Sequence, residues 1–407
     1  MPVVFVHGVN TRKSEPGYDA RLAVVSKFIK AHLVGVTLGG KQLAAPTPSF
    51  PYWGDLATSF AWNMASLPGG EIDALGTPGV SDELRPIIGV ISDGLENPGH
   101  AKEQPLLTLA RERSLALAVD VVFDQLLRQT SAANADEAAE FVVAARRYAE
   151  AQPKPAWLRG LATDEQFLSI LVAEVQKGVA IPAGVNALGG GFGAILGPIA
   201  AAGAQIKKAV QAAAGTVLDR TGDFASTKLL GWQRKPLNAT LGRFFGDIFI
   251  YLDGRGDKTR PGDIARRILS AFDDAKATAP GEPLIVIGHS LGGVITFDLL
   301  SHFRTDIVVD LFVTVGSQVS HFEEMKRFKS SDPAVGPPAR AATPANVRHW
   351  INVFDEVDIF SYACEKVFER VHDFHYDTQT YTIKAHGAYF DQDRFYSRLR
   401  ARIDQLP

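Results

Sequence analysis

The amino-acid sequence predicts an α/β fold, and three observations carry that prediction. Near-continuous apolar runs such as "PLIVIG" and "IVVDLFVTVGS" have the look of strands covered on both faces. Amphipathic helical patterns alternate with them, which is the order expected of a parallel sheet. A Gly-x-Ser-x-Gly pattern, Gly288-His289-Ser290-Leu291-Gly292, falls between one of those runs and a helical stretch.

Taken in order, Pro2 to Val6 reads as a buried strand ending at His7-Gly8. Leu22, Val25, Ile29 and Leu33 then recur at helical spacing over Asp19 to Leu33, and "TPSFPYWGD" reads as a short strand ending near Trp53. Residues 66 to 105 are rich in Gly, Pro, Asp and Glu and read as loops. Helices are predicted over Leu106 to Gln129, from near Asn134, and from near Thr163, where Gln166 three residues on completes a capping signature. Another helical stretch is predicted to run to about Leu230. The α/β pattern resumes with "GDIFIYL" as a strand, Pro261 to Ala277 as a helix, and "PLIVIG" as a central strand. A helix starts at Ser290, and "IVVDLFVTVGS", "RHWINVF" and "TQTYTI" are read as further strands before a C-terminal helix from Asp393. The expected organisation is an α/β core over residues 1–55 and 242–407, interrupted by a mainly helical cap or lid insertion over 56–241.

Composition excludes several function classes. The chain has 407 residues, a formal net charge of -3, and 21% charged residues, a balance without the basic footprint of a nucleic-acid binder. One cysteine, Cys364, forms no internal disulfide and reads as a small buried apolar residue. With no cysteine cluster and no HExxH, no metal or other cofactor is expected. The opening "MPVVFVHGVN" lacks a basic region followed by a long apolar run, so a cytoplasmic location, peripheral at a membrane at most, is the expectation.

The chemistry centres on Ser290. A serine in a sharp strand-to-helix turn presents its hydroxyl at the sheet edge, and its neighbours two positions away must be small because the backbone folds back on itself. A serine nucleophile needs a base and the base needs an orienting acid. Asp355 closes the strand "RHWINVF", and Asp358 three residues on is the alternative acid. His386 in "IKAHGAYF" follows the last predicted strand; His349 falls inside a strand, and His372 and His375 precede the last one. The order is therefore Ser, Asp, His. "FVHGVN" places backbone beside the serine turn, so the N–H groups of Val9 and Leu291 are the expected oxyanion donors.

"VVFVHGVN", "GHSLGG", "NVFDEVD" and "AHGAYF" together resemble the α/β-hydrolase superfamily, specifically its lipase-like members. The resemblance spans about residues 1–55 and 242–407. It implies Ser290, Asp355 and His386 as catalytic, Asp355 being favoured by the family's D-x-V pattern. It also implies an acyl-enzyme mechanism on a lipid or other acyl ester. The chain departs from the larger members in beginning at the oxyanion-loop strand and in its long insertion. A small soluble ester or thioester would use the same residues. A different class is a membrane-active or partner-binding module whose functional part is the insertion. Within the insertion, Val179 to Ile206 carries no charge, and Gly193 and Gly197 form a GxxxG. It is long enough for a membrane span, but its glycines, Pro182 and Pro198 favour buried cap helices or a membrane-surface segment. "LDGRGDKTRPGD" is read as turn residues and surface ion pairs, with Asp253 or Arg255 as the alternative contacts to a polar headgroup.

Overall fold

The computed structural model describes residues 2–42, 45–64, 103–129, 135–178, 193–213, 241–379 and 382–406. The chain divides into two compact units, one of residues 1–12, 28–60 and 241–407, the other of residues 13–27 and 61–240. The first is the α/β unit expected from the sequence. Its bounds differ from 1–55 and 242–407: residues 56–60 and 241 group with it, while 13–27, with the first ten residues of helix α1 (Tyr18–Leu33), group with the second unit.

The α/β unit is built on a sheet of six strands, in which every neighbouring pair is parallel. The strands are β1 (Pro2–Val6), β4 (Thr47–Ser49), β5 (Ile285–His289), β6 (Val309–Val315), β7 (Val347–Phe354) and β8 (His372–His375). Between β1 and β4 lies a two-residue hairpin, β2 (Thr37–Leu38) and β3 (Lys41–Gln42). The spatial order is β4-β1-β5-β6-β7-β8. The apolar runs are apolar because both faces are covered: every residue of β1 and β6 is buried. From β1 the chain crosses to β4 on one side, while β5 lies on the other. The β1/β5 boundary is thus a topological switch point, where the connections after adjacent strands diverge and leave a crevice at the carboxyl edge. Register pairs Val6 with Gly288, His289 with Val315, and Val315 with Val353. The segments that follow β1, β5, β6 and β7 therefore emerge together at that edge.

The second unit is helical in its described residues beyond 100, apart from short connections: α2 (Pro105–Glu112), α3 (Leu115–Gln129), α4 (Ala135–Ala151), α5 (Asp164–Gly178) and α6 (Gly193–Ala213). The single helix predicted over 106–129 is two, because the Ser114 side chain accepts the N–H of Leu117 and starts a new helix. The Thr163 cap is present: its Oγ1 accepts the N–H of Gln166, and Gln166 Oε1 accepts that of Ala162. Of the charge-free stretch, 179–192 and the loops at 65–102 lie outside the described residues, as do 214–240. Helix α6 buries Ile199, Ala202 and Ile206 at helical spacing, and a Cβ at Gly203 would sit 2.4 Å from Leu168 of α5. Its small residues thus serve close helix packing. Among the described residues, no helix is long and apolar enough to cross a membrane.

Two strand predictions are corrected. "GDIFIYL" is part of a helix, α7, over residues 241–254. Its buried positions, Phe244, Ile248 and Tyr251, recur at i, i+4 and i+7, whereas Phe245, Phe249 and Ile250 face outward. A short apolar run fits either period, and packing chose the helix. "TQTYTI" is not a strand in its described residues. Among the described residues the last strand is β8, and His386 lies in the last turn of a short helix. The remaining helices are α8 (Asp263–Thr278), α9 (Leu291–Asp298), α10 (Val319–Glu324), α11 (Thr382–Ala388) and α12 (Asp393–Ile403).

Candidate active site

Ser290 is the residue between β5 and α9, with φ 53° and ψ -129°. For a non-glycine residue this conformation costs of order 1–3 kcal/mol and persists only where the surroundings hold it. The surroundings do hold it. Its N–H donates to the carbonyl of Val315 at 3.0 Å, and its carbonyl accepts from Gly293 N at 3.0 Å and Ser317 Oγ at 2.7 Å. The turn also explains the motif's glycines. A Cβ on Gly288 would lie 2.5 Å from the Cα of Gly293, and one on Gly292 would lie 2.2 Å from the carbonyl oxygen of Val6. Every backbone contact of Ser290 is tied down, yet its hydroxyl is buried and has no hydrogen-bond partner.

The loop after β1 packs directly on this turn. A Cβ on Gly8 would come within 2.5 Å of Ser290 Cβ. His7 is buried and ties the loop at two points. Its Nε2 accepts the N–H of Trp53 at 3.1 Å, so the proton must sit on Nδ1, which donates to the carbonyl of Gly8 at 2.9 Å. The Trp53 ring stacks on the imidazole at 4.8 Å, and its Nε1–H donates to the His7 carbonyl at 3.0 Å. Burial pushes the His7 pKa down from 6.5 to about 4, so the ring is neutral. Beyond it, the buried carboxylate of Asp247 on α7 accepts the N–H of Asn10 at 3.0 Å, that of Thr58 at 2.9 Å, and the Arg12 guanidinium at 2.8 Å. Val9 sits between these anchors. Among the described residues, the N–H groups of Val9 and of Leu291, the first residue of α9, donate no hydrogen bond.

His386 is paired with Asp358, not with Asp355. Its Nδ1 lies 3.0 and 2.9 Å from the two carboxylate oxygens of Asp358, and Tyr389 donates its hydroxyl to one of them at 3.0 Å. The N–H of Phe360 donates to the other at 3.0 Å. Asp355 is also buried, but its carboxylate accepts from Val357 N at 3.0 Å and from Thr378 N and Oγ1 at 2.8 and 2.6 Å. The reason is positional. Asp355, at the end of β7, closes a turn onto the segment leaving β8. Three residues further, the chain has turned toward Gly316, at the end of β6. That glycine, at φ 56°, lies against the pair: a Cβ there would meet Asp358 at 3.0 Å and His386 Nδ1 at 3.5 Å. Gln318 donates its side-chain amide to the carbonyls of Gly316 and Phe360, bracing the same loop.

With Nδ1 donating to a carboxylate, the lone pair of His386 lies on Nε2, which is buried and without a partner. Ser290 Oγ and His386 Nε2 are not hydrogen-bonded to each other here; such bonds are often long before substrate binds. His289, next to the serine, reaches His386: its Nε2 lies 2.6 Å from the His386 carbonyl, with ring centroids 4.9 Å apart. The ring of Phe360 lies 5.0 Å from the imidazole, and that of Phe244 packs behind it at 4.5 Å, an apolar wall.

Other sequence candidates lie elsewhere. Arg255 pairs with buried Asp298 at 2.8 Å and donates to the Arg327 carbonyl, a structural ion pair in place of a headgroup contact. Cys364 is buried and its thiol is pushed up by desolvation and by Asp373. Among the described residues, no His, Cys, Asp and Glu cluster could hold a metal. Sequence reasoning named Ser290, His386, Val9, Leu291 and, as the alternative, Asp358. It missed Asp247, Tyr389, Gly316 and Ser317, and the anchoring roles of His7 and His289. No local signal marks Asp247, which is 237 residues from the Asn10 it holds. Comparison with known proteins finds no family model, no curated protein and no solved structure that matches this chain.

Proposed function

We propose that the protein is a serine ester hydrolase of the α/β-hydrolase fold, with Ser290 as nucleophile, His386 as base and Asp358 as the orienting acid. One observation carries the reading. A serine in a strained strand-to-helix turn and a carboxylate-oriented imidazole present the two buried, unpartnered polar atoms that such a reaction needs. A buried polar group without a partner costs about 1–3 kcal/mol, which argues for retention by function.

The chemistry follows from the roles. Ser290 Oγ attacks the acyl carbonyl carbon while its proton passes to His386 Nε2. Asp358 stabilises the imidazolium through Nδ1–H, and the N–H groups of Val9 and Leu291 donate to the oxyanion. When the tetrahedral species collapses, the carbon–oxygen bond to the leaving alcohol breaks and His386 returns the proton to that oxygen. Water, deprotonated by the same imidazole, releases the acid from the acyl-enzyme. The preferred substrate is a lipid or phospholipid ester. The Phe244–Phe360 wall supports an apolar acyl or alcohol group, as do Val357, Ile359, Phe245 and Phe249, which are exposed on this unit.

The test is free fatty acid released from mixed-phospholipid vesicles, read by mass spectrometry, for the wild type and Ser290→Ala. Release that disappears in the variant supports the lipid hydrolase. Hydrolysis of soluble short-chain esters alone, lost in the same variant, moves the substrate to small esters. No serine-dependent hydrolysis of either overturns the enzyme reading.

A further inference from the structure

The residue before the nucleophile sets the position of the base. We propose that His289 is a positioning residue whose side chain holds the main chain of His386 through a hydrogen bond to its carbonyl. The inference rests on the reading of Ser290 and His386 as nucleophile and base.

Helix α11 has seven residues, Thr382–Ala388, and His386 lies in its last turn. Carbonyls in a last turn lack intrahelical partners and must be satisfied from outside. For His386 the outside partner is His289 Nε2, at 2.6 Å. A carbonyl only accepts, so His289 must carry its proton on Nε2. Asp358 fixes the direction of the His386 ring at Nδ1, but one contact at the ring cannot fix where the short helix carries it. His289 supplies the second restraint, and it does so from the residue covalently next to Ser290. The separation of Ser290 Oγ and His386 Nε2 is thereby set across one peptide bond and one hydrogen bond.

Burial and the nearby His386 push the His289 pKa down from 6.5 to about 3. The ring therefore donates as a neutral group, as it must. A cation 4.9 Å from the His386 ring would oppose the imidazolium that forms there during catalysis. The ring of Phe390, edge-on at 5.2 Å, closes the other side.

The test uses three substitutions in the full chain and the rate at which a fluorophosphonate labels Ser290. Glutamine places an N–H close to where Nε2 of histidine lies, asparagine is too short to reach it, and phenylalanine keeps the ring without the donor. We expect His289→Asn and His289→Phe to lower the limiting labelling rate about 10- to 100-fold, the scale of a misplacement near 1 Å. The half-saturating probe concentration should stay the same, and His289→Gln should recover most of the rate. The Gln and Asn variants differ in reach and share their chemistry, so their comparison stands if the Phe variant fails to fold. Equal labelling of wild type, Asn and Gln variants overturns the positioning role and leaves the nucleophile standing. A wild type that does not label at Ser290 removes the nucleophile, and the positioning role falls with it.

Discussion

Two loops at the carboxyl edge of the sheet, one after β1 and one after β7, are each organised around a buried carboxylate, and they end differently. In the β1 loop, Asp247 receives the N–H groups of Asn10 and Thr58 and the Arg12 guanidinium. Every bond goes to backbone or to a fixed cation, so the network closes on itself and holds main chain in place. In the β7 loop, Asp358 receives Phe360 N–H, Tyr389 hydroxyl and His386 Nδ1, and the chain of bonds ends at a nitrogen with no partner. The first arrangement holds main chain, and the second leaves an imidazole nitrogen open. A carboxylate buried among donors is thus no sign of catalysis by itself. What distinguishes the second is the open end.

The largest effect should separate Asp358 from Asp355. Asp358→Asn keeps the shape but lets the amide donate toward Nδ1, which favours the wrong imidazole tautomer. Turnover of a soluble ester should fall about 10³- to 10⁴-fold with little change in KM. Asp355→Asn should leave turnover within an order of magnitude of wild type. Its amide would face the Thr378 or Val357 N–H, donor against donor, so the variant should instead lose about 1–3 kcal/mol in urea unfolding. Equal losses of turnover in the two variants would erase the distinction between the loops.

A smaller effect is expected at the closed network. Asp247→Asn leaves Arg12 without its charge partner and weakens the hold on the backbone of Asn10 and Thr58, the former next to Val9, the proposed oxyanion donor. Removing one oxyanion donor outright costs about 10² to 10³ in rate. Loosening the loop that carries it should cost less, about 10- to 100-fold in kcat, with KM for a soluble ester preserved. Stopped-flow acylation with a chromogenic ester would resolve it. A rise in KM with kcat unchanged would mean instead that the loop holds substrate and transition state equally.

The two loops also differ in how much of them the sequence disclosed. The turn at Ser290 is legible because its constraint is local: its glycines must be small wherever the motif occurs. The strands β5, β6 and β7 were legible because full burial on both faces leaves uninterrupted apolar runs. Asp358 was visible only as the alternative to Asp355. Choosing between them depends on how the chain turns after β7 and on where β6 presents Gly316, which is tertiary information. The α7 run reads as a strand for a related reason. Its apolar run is short, and burial of Phe244, Ile248 and Tyr251 is a property of what it packs on. Asp247 in the same helix looks like any surface carboxylate until the β1 loop is folded over it.

The smallest effect concerns two buried histidines, His7 in the β1 loop and His289 at the end of β5, and it is read by titration. His7 anchors the β1 loop and His289 donates to the His386 carbonyl in α11, and burial lowers both pKa values, to about 4 and about 3. For each, the unfolded chain binds a proton below pH 6.5 and the folded chain does not. Their contribution to stability is therefore complete above pH 6.5 and is lost as pH falls toward 4 and 3. The contribution of these two groups should therefore fall steadily between pH 6 and 4.5. In the helical unit, Asp164 has the opposite sense. Burial raises its pKa to about 6, so its folded form keeps a proton that the unfolded form releases, and its contribution is lost as pH rises through 6. The bare slope mixes the two senses, so the informative quantity is the change on substitution. His7→Gln and His289→Gln should each flatten the pH dependence of the urea unfolding free energy by about 1.4 kcal/mol per pH unit, while Asp164→Asn should steepen it by a similar amount. If His289→Gln flattens the slope and His7→Gln does not, the His7 imidazole is charged in the folded protein. In that case the Trp53 N–H would have no acceptor at Nε2, and the β1 loop would be held by Asp247 alone.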